Sequence, residues 1–190
     1  IAQGIFDRIV EQAIGHGLVD GTVLYTDSTH LKANANKNRF DLAVVAKSRA
    51  DYWEALAAAI EEDRVQHGKK PLKEKERQPA EKQTKVSRTD PDSGYMVRDG
   101  KPKGFFYLDH RTVDAAHAII PDPQAPPANV HDSIVYLGRL DRQRQRFGFQ
   151  VGAVGLDAGY ATAGIAKGLE DRDILGVTGY RNPTPPKPGM

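Results

Sequence analysis

An aspartate in the middle of a strand pattern is the feature that most restricts how this chain folds. Residues 23–38 read VLYTDSTHLKANANKN, and side chains that share a face recur at every second position, which predicts a β-strand. Asp27 falls on the same face as Tyr25 and Leu31. Asp is depleted in strands, and a buried ionised carboxylate needs a partner. We therefore expect a hydrogen-bonded neighbour, a basic side chain or a metal ion beside Asp27.

A second aspartate ends a short apolar segment late in the chain. Asp157 in AVGLDAGY follows a Gly- and Val-rich strand pattern, and Gly159 allows the chain to turn away. Ligands of open α/β sheets bind at the carboxyl ends of strands. If the two strands are parallel neighbours, the carboxylates face each other and repel unless a divalent cation lies between them. Oxygen ligands favour Mg²⁺ or Mn²⁺ over zinc, and such sites carry out phosphoryl transfer.

The order of the predicted elements indicates an α/β domain with a mixed sheet flanked by helices. Helices are predicted at about 5–13, 41–67, 133–147 and 163–173, and strands at about 22–33, 96–97, 105–113, 118–120, 151–157 and 174–180. Two or three antiparallel strands are thus followed by helix, strand, helix and strand, and the short late strands favour parallel pairing. This order is found in ribonuclease H-like domains.

Charge is distributed unevenly along the chain. The net charge is +2, yet residues 64–88 contain nine Lys or Arg and three acids, so the remaining residues are mildly acidic. A basic segment suits a polyanionic partner, and a solvated loop is an equally good interpretation. Together with the second predicted helix it forms an insertion at about 41–92, after the first strand. Its few apolar residues predict that the basic loop is disordered or becomes ordered on contact.

Composition excludes several classes of protein. A chain of 190 residues with 39% hydrophobic and 27% charged residues suits one soluble domain. No apolar run reaches about eighteen residues, so no membrane span is predicted. The absence of cysteine excludes disulfides and thiolate zinc sites, and it is compatible with the cytoplasm.

Four segments together resemble bacterial insertion-sequence transposases of the DDE type. They are YTDSTHLKANANKN, GYMVRDGKPKGFFYLDHRTVD, NVHDS and VGLDAGY. The resemblance is to the IS4/IS5-like group, nearest to the IS1182 family, and it extends from about residue 18 to residue 186. It implies a ribonuclease H-like core that cuts transposon ends and joins them to target DNA with two Mg²⁺ or Mn²⁺ ions. By position, Asp27 matches the first catalytic, metal-binding carboxylate and Asp157 the second.

The same resemblance implies partners and a location. The partner is double-stranded DNA, at the transposon ends and at the target, and the protein acts as a homodimer or higher oligomer in a synaptic complex. It works in the bacterial cytoplasm on chromosomal or plasmid DNA. Two other functions remain open: a ribonuclease H-like nuclease without strand transfer, and a non-catalytic DNA-binding remnant of a decayed transposase.

The sequence departs from the family pattern at the third acid. Such a core needs a further acid, usually Glu, on a helix beyond the last strand, and no segment here matches it. Glu170, Asp171 and Asp173 belong to the helix directly after Asp157, so we interpret them as surface charge. The start without Met and the Pro-rich end point the same way. We expect residues 1–190 to be a partial catalytic domain, inactive by itself.

Several basic and polar residues are candidates for contact with DNA. The segment after the first strand is rich in Asn and Lys, which can hold a nucleic-acid strand, and three arginines share one face of the helix at 133–147. The candidates are Lys32, Asn36, Lys37, Arg39, His110, Arg139, Arg142 and Arg146. For the arginines the alternative is a solvated helix face, and for His110 it is a histidine satisfied within its strand. Asp132, beside His131, is interpreted as a helix cap.

Overall fold

A computed structural model of the chain describes residues 2–46, 57–58, 60–62, 64–71, 81–98, 100 and 102–179. The chain divides into two compact units. Unit 1 comprises Ile1–Ser28, His110–Gln124 and Val135–Met190, and unit 2 comprises Thr29–Asp109 and Ala125–Ile134.

Among the elements with defined bounds, helices and strands alternate only in the last third of the chain. The helices with defined bounds are α1 (Ala2–Gly15), α2 (Asp132–Phe147) and α3 (Ala163–Glu170). The strands are β1 (Val23–Lys32), β2 (Phe40–Ala46), β3 (Glu81–Ser87), β4 (Gly94–Met96), β5 (Gly104–Asp114), β6 (Asp122–Gln124), β7 (Ala153–Leu156) and β8 (Leu175–Thr178). No helix in the described part of the chain has the length and apolarity needed to cross a membrane.

Six of the strands form one mixed sheet. Its order is β4-β5-β1-β7-β8, and β6 also pairs with β5. β7 is parallel to β1 and to β8, whereas β5 is antiparallel to β4 and β6. β5 is also antiparallel to β1, because the Ala115 N–H donates to the Val23 carbonyl and the Ala33 N–H donates to the Phe105 carbonyl. The predicted α/β arrangement with a mixed sheet and late parallel strands is confirmed.

One face of the sheet in unit 1 packs against helices. The core cluster contains Leu24, Val154 and Leu156 from the strands, Tyr136 and Leu140 from α2, and Ile165 and Leu169 from α3. Leu137 and Phe147 pack against the same cluster, as their helical spacing predicts. The opposite face of the parallel strands is open, because Tyr25 is 53% exposed, Leu175 66% and Val177 60%. The parallel strands β1, β7 and β8 are therefore covered by helices on one face only.

The segment after the first strand differs from the prediction. Residues 40–46, predicted to begin a helix, form β2, which pairs antiparallel with β3 in a separate two-stranded sheet. β3 itself lies in the predicted disordered loop. The helical interpretation used local spacing, whereas the strand is selected by a partner about forty residues later. The described residues between 57 and 66 are helical, as predicted, while residues 47–56 of that helix and residues 72–80 of the basic loop lie outside the described residues.

The strand predicted at 118–120 is also wrong. Residues 115–117 form a turn, Ala118 has a positive φ of 57°, and β6 begins at Asp122. The buried carboxylate of Asp114 organises this turn by accepting the Ala116 N–H at 2.9 Å and the Gly21 N–H at 2.8 Å. A side chain that binds two backbone groups stabilises a turn that apolar spacing does not indicate.

Candidate two-carboxylate site

Asp27 and Asp157 occupy matching positions on neighbouring parallel strands. In the register of β1 and β7, Val23 lies opposite Ala153 and Thr26 lies opposite Leu156. Asp27 directly follows Thr26, and Asp157 directly follows Leu156. Adjacent strands are about 4.8 Å apart. The predicted parallel pairing of the two aspartate-bearing strands is thus confirmed, and it brings the two carboxylates side by side where β7 ends.

Each carboxylate is oriented by a backbone N–H just downstream. The Ser28 N–H donates to Asp27 Oδ1 at 2.7 Å, and the Gly159 N–H donates to Asp157 Oδ1 at 2.8 Å. No described residue donates a hydrogen bond to Oδ2 of either side chain. The pair therefore keeps one oxygen fixed and presents the other to solvent.

Asp27 is exposed, which corrects the expectation that it lies on a buried face. Tyr25 and Leu31, which share its face of β1, are each 53% exposed. Alternation identified the residues on that face correctly but gave it the wrong environment. Because the carboxylate is exposed to water, its charge does not require a bound cation as compensation for burial.

Two glycines shape the surroundings of the pair. A Cβ on Gly155 would lie 2.5 Å from Cδ1 of Tyr25, so the tyrosine ring lies against the backbone of the adjacent strand. A Cβ on Gly179 would lie 2.9 Å from the Ala158 backbone nitrogen, so the chain leaving β8 passes close to the turn after Asp157. Small residues at both positions keep the strand end compact.

Arg111 is a neighbour of the site that the sequence did not indicate. The hydroxyl oxygens of Thr26 and Thr112 are 3.0 Å apart across β1 and β5. The same register sets Arg111 opposite Asp27, and Arg111 is exposed between two buried β5 residues. The alternation in HRTVD shows that Arg111 points away from Thr112, but only the pairing of the strands relates it to Asp27.

A buried polar network lies beneath β1. Arg139 is 1% exposed, and its Nε and Nη2 donate to Asp122 Oδ2 at 2.8 and 2.6 Å. Nη2 also donates to Thr112 Oγ1 at 3.3 Å. This burial contradicts the expectation that Arg139 contacts DNA. The helix pattern suggested a solvated arginine, but Asp122 on β6 supplies the counter-charge that makes burial tolerable.

His110 is likewise inside the protein. It is fully buried, and its Nδ1 lies 2.9 Å from the hydroxyl of Tyr160, whose ring it meets edge-on. Its burial contradicts the expectation of contact with DNA. The alternative interpretation, a histidine satisfied within its strand, agrees with this hydrogen bond.

The remaining candidates for DNA contact are at least partly accessible. In unit 2 the exposed ones are Lys32, Asn36, Lys37 and Arg39. In unit 1, Arg142 is exposed and donates to Gln124 Oε1 at 2.8 Å, and the partly exposed Arg146 pairs with Asp7 at 3.2 Å. These six residues stay predictions.

The donor set fits a hydrated magnesium site. No group of three or more His, Asp or Glu side chains among the described residues is arranged to hold a metal ion. Mg²⁺, however, is usually bound through one or two carboxylates and retains several waters. Asp27 and Asp157 supply two such hard oxygen donors.

The acids of the following helix lie elsewhere. β8 begins at Leu175, opposite Ala153 at the start of β7. Residues 170–173 directly precede β8, so they lie at the other end of the strands from Asp157. All three acids in this segment are exposed, which agrees with their interpretation as surface charge.

Comparison with known proteins gives no match. No protein-family profile matches the chain, and no curated protein and no solved structure is similar to it. What the chain does is therefore inferred from its residues and their geometry.

Proposed function

We propose that this chain is the catalytic part of a DDE-type transposase of a bacterial insertion sequence. The observation that carries the proposal is the parallel register of β1 and β7, which brings Asp27 and Asp157 to matching positions. These are the two aspartates that the family resemblance identifies as metal-binding carboxylates. Sequence pattern and strand pairing therefore select the same two residues by different routes.

The order of elements in unit 1 supports a ribonuclease H-like core. β1, β5 and β6 pair antiparallel, and they are followed by α2, β7, α3 and β8, with β7 parallel to β1. Antiparallel strands followed by helix, strand, helix and strand is the order found in ribonuclease H-like domains. β2 and β3, which form the separate two-stranded sheet, then belong to the insertion at about 41–92 between β1 and β5.

The proposed chemistry uses the two carboxylates as ligands for Mg²⁺ or Mn²⁺, with two ions in the complete enzyme. A bound ion would neutralise phosphate charge and activate water for cleavage of a phosphodiester bond. The backbone N–H groups of Ser28 and Gly159 hold Oδ1 of each carboxylate and leave Oδ2 for binding. The protein thus contributes positioning and charge rather than a covalent intermediate.

Duplex DNA is the proposed partner, at transposon ends and at the target, with a homodimer or higher oligomer as the assembly. The exposed Lys32 at the end of β1, and Lys37 and Arg39 after it, are suited to phosphate contact. The proposed location is the bacterial cytoplasm, where chromosomal or plasmid DNA is available.

Binding of Mn²⁺ tests the site directly. Asp27→Asn and Asp157→Asn each remove a charged ligand at constant size, and each should weaken Mn²⁺ binding more than about tenfold. Electron paramagnetic resonance of free Mn²⁺ measures this affinity. Glu170→Gln removes an exposed acid at the far end of the strands and is the matched control. Wild-type affinity in both Asn variants would contradict the proposal.

The products formed from DNA separate the possible functions. Joined donor and target DNA identifies a transposase, whereas nicked DNA without joining identifies a nuclease of the same fold. Binding to duplex DNA with a steep salt dependence and no metal-dependent nicking is expected both of a partial catalytic domain and of a non-catalytic remnant. Loss of Mn²⁺ binding in the two Asn variants then identifies the partial catalytic domain, because a remnant need not retain the metal site.

A further inference from the structure

We propose that Thr112 is a positioning residue for the carboxylate of Asp27, and that Arg139 and Gln143 fix the direction in which Thr112 donates its proton. This inference rests on the proposed function, because it concerns the same pair of carboxylates. It assigns a role to buried residues on the face of the sheet opposite to Asp27.

The network begins at a buried ion pair. Arg139 of α2 is held by the carboxylate of Asp122 on β6 and also donates to the Asp122 carbonyl at 3.1 Å. The side chains are 1% and 4% exposed, so solvent screens the pair very little. Hydrogen bonds in such surroundings are stronger than in water and hold their geometry well.

The ion pair extends to the hydroxyl of Thr112. Arg139 Nη2 and Gln143 Nε2 both donate to Thr112 Oγ1, each at 3.3 Å. A hydroxyl group has one proton and two acceptor positions. With both acceptor positions occupied, Thr112 must donate its proton to Thr26 Oγ1, 3.0 Å away. The direction of this bond follows from the two nitrogen donors.

Thr26 connects the hydroxyl of Thr112 to the backbone that carries Asp27. It is buried on β1, lies opposite Leu156 of β7 and directly precedes Asp27. Successive residues of a strand point to opposite faces, so fixing the Thr26 side chain on the covered face also fixes the direction in which Asp27 leaves the strand. A helix, two antiparallel strands and a buried charge therefore act together on one exposed carboxylate.

Thr112→Val tests this connection. Valine keeps the shape of threonine and removes the hydroxyl, while Arg139 keeps its bonds to Asp122 and Gln143 keeps its bond to the Arg139 carbonyl. We expect Mn²⁺ affinity to fall about fivefold, the equivalent of one ordinary hydrogen bond. Thr26→Val removes the same bond from the other side and should weaken Mn²⁺ binding equally. The double variant should bind no more weakly than either single one.

A general loss of stability is separated by two further variants. Thr112→Ser retains a hydroxyl and should recover most of the affinity lost in Thr112→Val. Ser87→Ala removes a buried hydroxyl in unit 2 that accepts the N–H groups of Thr89 and Asp90, so it should lower the melting temperature without changing Mn²⁺ affinity.

The outcomes distinguish this inference from the proposed function. If Asp27→Asn loses Mn²⁺ binding while Thr112→Val and Thr26→Val change only the melting temperature, Thr112 has a structural role alone and the inference is wrong. If Asp27→Asn binds Mn²⁺ like the wild type, the proposed site itself is wrong. Should Thr112→Val fail to fold, Thr26→Val gives the same test.

Discussion

Polar side chains on the two faces of β1 lie in opposite environments, one exposed to water and the other buried. On the open face, Asp27 is hydrated and accepts a hydrogen bond from the adjacent Ser28 N–H. On the covered face, Thr26 joins a buried network that ends at the Arg139–Asp122 ion pair. Of these two consecutive residues, Asp27 is thus accessible to a ligand, whereas Thr26 is buried and inaccessible. The difference teaches that the face a charged residue occupies, not its type, decides whether its side chain is exposed to water or held in a buried network.

The largest expected effect of a substitution lies on the covered face. Arg139→Ala leaves the carboxylate of Asp122 buried without its counter-charge, which should lower the free energy of unfolding by about 3–5 kcal/mol. Asp27→Ala, on the open face, should change it by no more than about 0.5 kcal/mol. Urea unfolding followed by circular dichroism measures both values.

Arg146→Ala is the control for loss of an ion pair in unit 1. Arg146 and Asp7 are about one-quarter exposed, so breaking their contact should lower the free energy of unfolding by less than about 1 kcal/mol. Equal losses for Arg139→Ala and Arg146→Ala would mean that burial does not set the cost of losing an ion pair.

A smaller effect is expected at Arg111, beside Asp27 on the open face. Arg111→Gln should weaken duplex binding similarly for all sequences and reduce the slope of log affinity against log salt concentration by about 1, because one phosphate contact is lost. The unfolding free energy should stay within about 1 kcal/mol of the wild type, because interactions of an exposed arginine contribute little to stability. Fluorescence anisotropy at several salt concentrations measures the slope.

Arg8→Gln removes an exposed arginine of α1 and controls for the change in net charge. An identical change in slope for both variants would mean that Arg111 acts only through the overall charge of the protein. Retention of the wild-type slope by Arg111→Gln would mean that DNA does not reach this part of the open face.

These contrasts explain which features the sequence could predict. Periodicity and Gly or Pro boundaries located β1, α2, β7 and β8, and Asp27 within β1 together with Asp157 at the end of β7 led to the correct parallel pairing. Alternation showed that Tyr25 and Asp27 share a face but not whether that face is covered, because coverage depends on the packing of distant elements.

The burial of Arg139 was hidden for a related reason. Its partner Asp122 belongs to the three-residue strand β6, whose position is set by pairing with β5 rather than by its own pattern. β2 was misassigned because its partner, β3, lies about forty residues further along the chain. Local spacing identifies residues that share a face of one element. The helices that cover that face, and the acid that pairs with a buried arginine, come from distant parts of the chain.

A small, pH-dependent effect is expected at Asp141 and Arg172, a pair at the partly exposed boundary between α2 and the end of α3. Arg172 donates Nε to Asp141 Oδ1 at 2.7 Å and Nη2 to Oδ2 at 2.5 Å, and these hydrogen bonds lower the pKa of Asp141 below its usual value. Folding therefore favours the ionised carboxylate. The resulting stability is fully present above the unfolded pKa of about 3.9 and is lost as the pH falls through the lower folded pKa.

Asp141→Asn should therefore lower the free energy of unfolding at pH 7 but have little effect in strong acid. The difference at pH 7 should be below about 1 kcal/mol, because the aspartate side chain is 45% exposed and water screens the pair. Asp171→Asn, which breaks the more exposed pair with Lys167, should have a smaller effect and serves as the control. Urea unfolding at pH 7, 5 and 3 measures the dependence. A difference between wild type and Asp141→Asn that is equal at all three pH values would show that Asp141 and Arg172 stabilise the protein through packing and neutral hydrogen bonds rather than through their charges.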